Sequence, residues 1–123
     1  MLYMANANDP FIPCEDGTLM NSVFWDPDPL GGPGSSVSFN ILQRFDNPTA
    51  EATLEFAFLD ANSKHTSGVT YNLIPNTTNI NFTYPMLVPQ FLPPQYIVQV
   101  QVVEAEGIGD PVVLCCVRFP RFG

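Results

Sequence analysis

Positive charge is scarce in this chain of 123 residues: Arg44, Lys64, Arg118 and Arg121 stand against twelve acidic residues, a formal net charge of -8. That balance repels phosphate backbones and anionic lipid surfaces, which argues against nucleic acid as a partner. Long apolar runs are also lacking. Hydrophobic residues make up 46% of the chain, yet no stretch reaches the roughly 20 consecutive apolar residues that a bilayer-spanning helix needs. With only 13% charged residues and this much apolar content, the acidity reads as a charged coat on a folded domain and not as an unfolded tail. Room for helices is short as well: thirteen prolines are scattered along the chain, and each costs about 3 kcal/mol inside a helix.

The groups that usually carry catalysis are few. His65 is the one histidine; it sits beside Lys64 in a predicted turn, with no Ser or Asp arrangement resembling a triad, and reads as a solvated loop residue. One distant histidine and an adjacent cysteine pair do not supply the four-ligand spacing of a structural zinc site. The carboxylates Glu15-Asp16, Asp26/Asp28 and Glu104/Glu106/Asp110 match no calcium-binding loop and read as solvated. No glycine-rich phosphate loop follows a strand. The expectation is a protein that is not an enzyme and uses no metal and no cofactor.

What the chain has in quantity is alternation. Val37, Phe39 and Ile41 oppose Ser36, Ser38 and Asn40, the period-two pattern of a half-buried strand. Leu54, Phe56 and Phe58 repeat it, and Asp60-Ala61-Asn62-Ser63 then supplies turn formers. Val69, Tyr71 and Leu73; Ile80, Phe82 and Tyr84; and Tyr96, Val98, Val100 and Val102 continue the series. A segment near Met20–Trp25 precedes it, and an apolar stretch from Val112 to Phe119 follows the turn at 107–111. About seven short strands at intervals of roughly 8–12 residues predict an all-β fold, an immunoglobulin-like β-sandwich. The domain is placed at residues 14–123. Residues 1–13, with their A-x-A pattern after too short an apolar run, read as an N-terminal extension or leader remnant.

Three cysteines are present, Cys14 and the adjacent Cys115 and Cys116. A bridge from Cys14 to the last strand would close a loop spanning most of the chain, worth up to about 4.7 kcal/mol on the chain-entropy model; three reduced thiols are the alternative. Two sequons, at Asn76 and Asn81, fit a secretory route and glycosylation, whereas Asn47-Pro48-Thr49 is excluded by its proline.

The order of these elements resembles a known family. An early cysteine, the stretch Val23 to Gly34 reading V-F-W-D-P-D-P-L-G-G-P-G, a following strand, and a final strand ending Cys116-Val117-Arg118-Phe119-Pro120 are similar to the ML lipid-recognition domains. These include a lysosomal sterol carrier, group 2 mite allergens and fungal phosphatidylglycerol/phosphatidylinositol transfer proteins. The later stretch from Pro94-Gln95-Tyr96 through Cys116 looks like that family's closing hairpin. The chain departs from the family in lacking cysteines for the two central disulfides that many members carry.

The resemblance implies a disulfide from Cys14 to the last strand, and to Cys116 over Cys115, because the C-x-x-x-P stretch from Cys116 to Pro120 resembles the ending of the family's sterol carrier. It further implies a lipid, a sterol or phospholipid acyl chains, held between the sheets and possible transfer of that lipid. Lining residues would be Val37, Phe39, Ile41, Leu54, Phe56, Phe58, Val69, Tyr71, Phe82, Tyr96, Val98 and Val100. Hydroxyls of Tyr71, Tyr84 and Tyr96 are expected at the cavity mouth. Met86, Leu87, Val88, Phe91 and Leu92 are expected as a surface for transient docking at a membrane or donor protein. The compartment implied is extracellular or the endolysosomal or vacuolar lumen. An ordinary filled core would carry the same inward residues. The competing reading is therefore an immunoglobulin-like interaction module without a lipid.

Overall fold

The computed structural model describes residues 11–14, 22–26, 30–44, 51–73, 78–90, 92–105 and 112–121. The protein is all-β: β1 (Ile12–Pro13), β2 (Ser22–Asp26), β3 (Ser36–Arg44), β4 (Glu51–Asp60), β5 (His65–Asn72), β6 (Asn79–Leu87), β7 (Tyr96–Ala105) and β8 (Val112–Arg121). Two antiparallel sheets pack face to face as a β-sandwich, one ordered β1-β8-β7-β4-β5 and the other β2-β3-β6. Strands near all seven predicted segments form, and β1 adds a two-residue edge that no periodicity could have shown. Ile12 and Pro13, which precede the predicted domain start, pair with Arg118 and Val117 of β8.

Alternation sets which side chains meet between the sheets. Val23, Trp25, Val37, Phe39, Ile41 and Ile80 point in from the three-stranded sheet. Leu54, Phe56, Phe58, Val98, Val100, Val102, Cys115, Val117 and Phe119 point in from the larger one, and all are buried. Burying each large side chain of this kind stabilises the fold by about 1.5–3 kcal/mol before ordering costs. The outward side of the larger sheet is polar over its middle. There Arg118 Nε donates to Gln99 Oε1 at 2.7 Å, and Gln101 Nε2 donates to Glu55 Oε1 at 2.6 Å.

The β4–β5 hairpin is closed by Asp60. Its Oδ1 accepts from the backbone N–H groups of Asn62 (2.8 Å) and Lys64 (2.9 Å), and its carbonyl accepts from Ser63, which sits at a φ of 65°. The predicted turn is therefore an Asp-nucleated one. His65, expected in that turn, is instead the first residue of β5, paired with Leu59 across an irregularity in the ladder.

Candidate functional site

The two ends of the sandwich differ in what fills them. At the end where β3 and β7 begin, aromatic rings span the gap between sheets. Trp25 meets Phe119 edge-on at 5.8 Å between ring centroids, and Phe39 lies 5.0 Å from Phe56. The Arg121 guanidinium covers the Trp25 ring at 5.1 Å, a cation–π contact. The 30–35 segment closes over this end. Gly34 donates to the Val88 carbonyl at 3.0 Å and Val88 donates to Ser35 at 2.8 Å. Gly34 holds a φ of 83°, a conformation that disfavours any residue with a Cβ. Leu30 N–H donates to the Tyr96 hydroxyl at 2.9 Å, tying the segment to β7. The Tyr96 oxygen, predicted at a cavity mouth, thus serves a partly buried backbone donor.

Toward the other end the inward residues are aliphatic: Val23, Ile41, Ala52, Leu54, Ile80 and Val102, with Leu73 and Leu114 packed beside them. Eleven of the twelve predicted lining residues are placed by side chain on the inner faces. The twelfth, Phe82, has its backbone placed opposite Ile41 and its side chain lies outside the described residues. Tyr96 is buried at the closed end. The remaining predicted residues fall into two groups. Val37, Phe39, Ile41, Leu54, Phe56, Phe58, Val98 and Val100 are buried, whereas Val69 and Tyr71 are 36% and 42% exposed.

The exposed pair marks a seam. Val69 pairs with Phe56 and Tyr71 with Leu54, so both side chains stand on the inward side of the sheet. They nevertheless reach solvent, because β5 is the margin of its sheet and β6 the margin of the other. Across this seam the Tyr71 and Tyr84 rings meet at 5.6 Å, and Tyr84 stacks on Phe56 at 5.2 Å. An apolar path runs here from the surface to the buried Phe56 ring.

The expected docking loop divides differently. Val88 is buried, Met86 and Leu92 pack partly against the core, and Leu87 is 67% exposed; Phe91 lies outside the described residues. The continuous exposed apolar loop that was expected is not what the described residues present, because Val88 is drawn inward by its backbone bonds to Gly34 and Ser35. Asn81 is exposed on β6, on the outer face beside Thr83, and Asn76 lies outside the described residues.

The cysteines divide by face. Continuing the β1–β8 register of Pro13 with Val117 by one residue sets Cys14 opposite Cys116, and these two form the disulfide, with Cα atoms 5.6 Å apart. Cys115 is the free thiol, buried in the core. Burial pushes its pKa up from 9.0 to about 12, against a smaller lowering by a backbone hydrogen bond with Val102.

Sequence reasoning left Trp25, Phe119, Val102 and Ile80 off the lining set. Val23 and Trp25 alternate with Phe24 and Asp26, a signal that was legible but short. Phe119 was obscured because β8 is apolar on both faces.

Compared with known proteins, the chain matches no family model and no curated protein sequence.

Proposed function

We propose that this protein binds a single lipid, a sterol or the acyl chains of a phospholipid, between its two sheets and can carry it from one site to another. The observation that carries this reading is the seam between β5 and β6. Inward-facing Val69 and Tyr71 are open to solvent there and lead, through Tyr84, to Phe56. An ordinary sandwich seals its inner faces with interdigitated side chains; an inward apolar strip that meets water is what an entering apolar molecule requires.

The driving force is transfer out of water, about 0.8 kcal/mol per methylene, reduced by the cost of ordering ligand and side chains. No bond needs to break, and no cofactor takes part. The Cys14–Cys116 bridge, together with the sequons, fits an oxidising compartment and so a secreted or lumenal carrier. Glycosylation at Asn76 and Asn81 belongs to the same reading.

One observation favours a second reading, a protein-interaction module of immunoglobulin-like build. Trp25–Phe119 and Phe39–Phe56 already bridge the sheets, so part of the inner space is filled.

Native mass spectrometry of the purified protein decides between them. A co-purifying lipid at one-to-one stoichiometry, identified after organic extraction and weakened by Tyr71→Asp, is the expected result. A mass that stays that of the bare chain after incubation with sterol and phospholipid vesicles overturns the carrier reading.

A further inference from the structure

Exposed sheet margins offer unpaired backbone donors and acceptors, and proteins usually blunt them with proline, charge or brevity. Among the described residues three of the four margins carry such a device. β1 has two residues, one of them Pro13; β2 is five residues ending in the exposed Asp26; β6 contains Pro85. The fourth, β5, runs His65-Thr66-Ser67-Gly68-Val69-Thr70-Tyr71-Asn72 with no proline and no Asp, Glu, Lys or Arg. Among the described residues it is paired on one side only, with β4.

The direction of its backbone groups follows from one bond. Leu73 N–H donates to the Ala52 carbonyl at 2.9 Å, and Ala52 and Leu73 continue the register that pairs Thr53 with Asn72. In an antiparallel ladder hydrogen-bonded pairs alternate with non-bonded ones. Tyr71, Val69 and Ser67 therefore spend their N–H and C=O groups on β4, while Gly68, Thr70 and Asn72 turn theirs toward the open margin.

We infer that β5 is a self-pairing strand, and that two copies of this chain associate through it as an antiparallel, two-fold symmetric dimer with Thr70 on the axis. In that register Thr70 exchanges both backbone bonds with Thr70 of the second copy, and Gly68 does so with Asn72. The intervening non-bonded pairs set Val69 against Tyr71, a β-branched residue against an aromatic one at the closest side-chain spacing. The strand is thus complementary to itself, as a two-fold interface requires.

Charge selects the same place. Each copy carries a formal charge of -8, and β5 is a contact in which no charged side chain of one copy opposes that of the other. Long-range repulsion between the copies remains, so salt strengthens the association by screening it. One strand pair buries less than the roughly 1,200–2,000 Å² of a standard stable interface, which makes the dimer a weak one, concentration-dependent at micromolar protein and above.

Sedimentation equilibrium of the full chain, with no lipid added, tests this independently of the lipid reading. Average mass is expected to rise toward that of a dimer with concentration, more strongly at 0.15 M salt than at 0.01 M. Thr70→Pro removes an N–H that β4 does not use, so it is expected to stay monomeric with an unchanged circular-dichroism spectrum; Thr70→Lys, which opposes two like charges on the axis, is the second variant should proline disturb the fold. Thr70→Cys is expected to cross-link two chains under mild oxidation, while Ser67→Cys, about six residues out of register with its own copy, does not. A wild-type chain monomeric at every concentration overturns the proposal. So does a dimer that persists in both Thr70 variants, or one that Thr70→Cys fails to cross-link.

Discussion

Cys115 and Cys116 are neighbours in β8, yet one points into the core opposite Val102 and the other points outward opposite Gln101, where it is bonded to Cys14. The period-two geometry of a strand makes the two thiols chemically different: one is shielded from water and oxidant, the other is tied across to the first strand.

The buried thiol has a measurable signature. With its pKa raised from 9.0 to about 12, Cys115 stays protonated in the folded protein at pH 8–9, and the thiolate is the species that alkylates. Iodoacetamide at pH 8.5 is expected to leave it unmodified in the native protein and to label it fully in urea. The unfolded chain loses this proton first, so between pH 9 and about 12 it binds fewer protons than the native state. The contribution to stability is intact below pH 9 and falls as pH rises through that window, by at most roughly 1.4 kcal/mol per unit. Urea denaturation of wild type and Cys115→Ala across this range is expected to show the extra fall in the wild type alone.

The outward thiol carries the covalent tie. Replacing both Cys14 and Cys116 by alanine releases a loop with a sequence separation of 102 residues, and the expected loss is about 2–4 kcal/mol. Denaturation followed through the emission of Trp25, the single tryptophan, reads this directly, and dithiothreitol should bring the wild type to the same midpoint.

Tyr96→Phe removes the acceptor for the Leu30 N–H without changing the ring. A partly buried donor is left without that bond, and the expected cost is about 1–2 kcal/mol. The loss should appear locally as faster hydrogen exchange across residues 30–35, with exchange in β4 and β7 unaltered.

Gly68→Ala tests how tightly β5 lies on β4. A Cβ at this position would sit 2.9 Å from the Phe56 carbonyl oxygen and 3.0 Å from His65 Nε2. The imidazole can swing away, but the carbonyl belongs to the ladder and must shift. Destabilisation of about 1–2 kcal/mol is expected, within the range for overpacked sites, despite alanine's lower entropy in the unfolded chain. Thermal denaturation of the variant checks the sign.

Strand interiors were legible because burial on one face imposes a period of two, as in Val37, Phe39 and Ile41 or Leu54, Phe56 and Phe58. Where that contrast fails, reading fails with it. In β8 both faces are apolar or covered, so Phe119 and Cys115 could not be told from their outward neighbours by pattern. β1 is too short to have a pattern. Val69 and Tyr71 show the opposite problem: they alternate correctly and face inward, but their exposure depends on how far the other sheet extends over them, which no local pattern records.

The sequence by itself determined the all-β class, the seven main strands and their inward faces, because prolines forbid helices and alternating side chains choose one face each. Tertiary structure decided which strands became margins, where the inner face meets water and which cysteine met Cys14. Those outcomes depend on strand order and register between segments far apart in the chain, and pairing of that kind is set by the summed burial of whole sheets, not by any one segment.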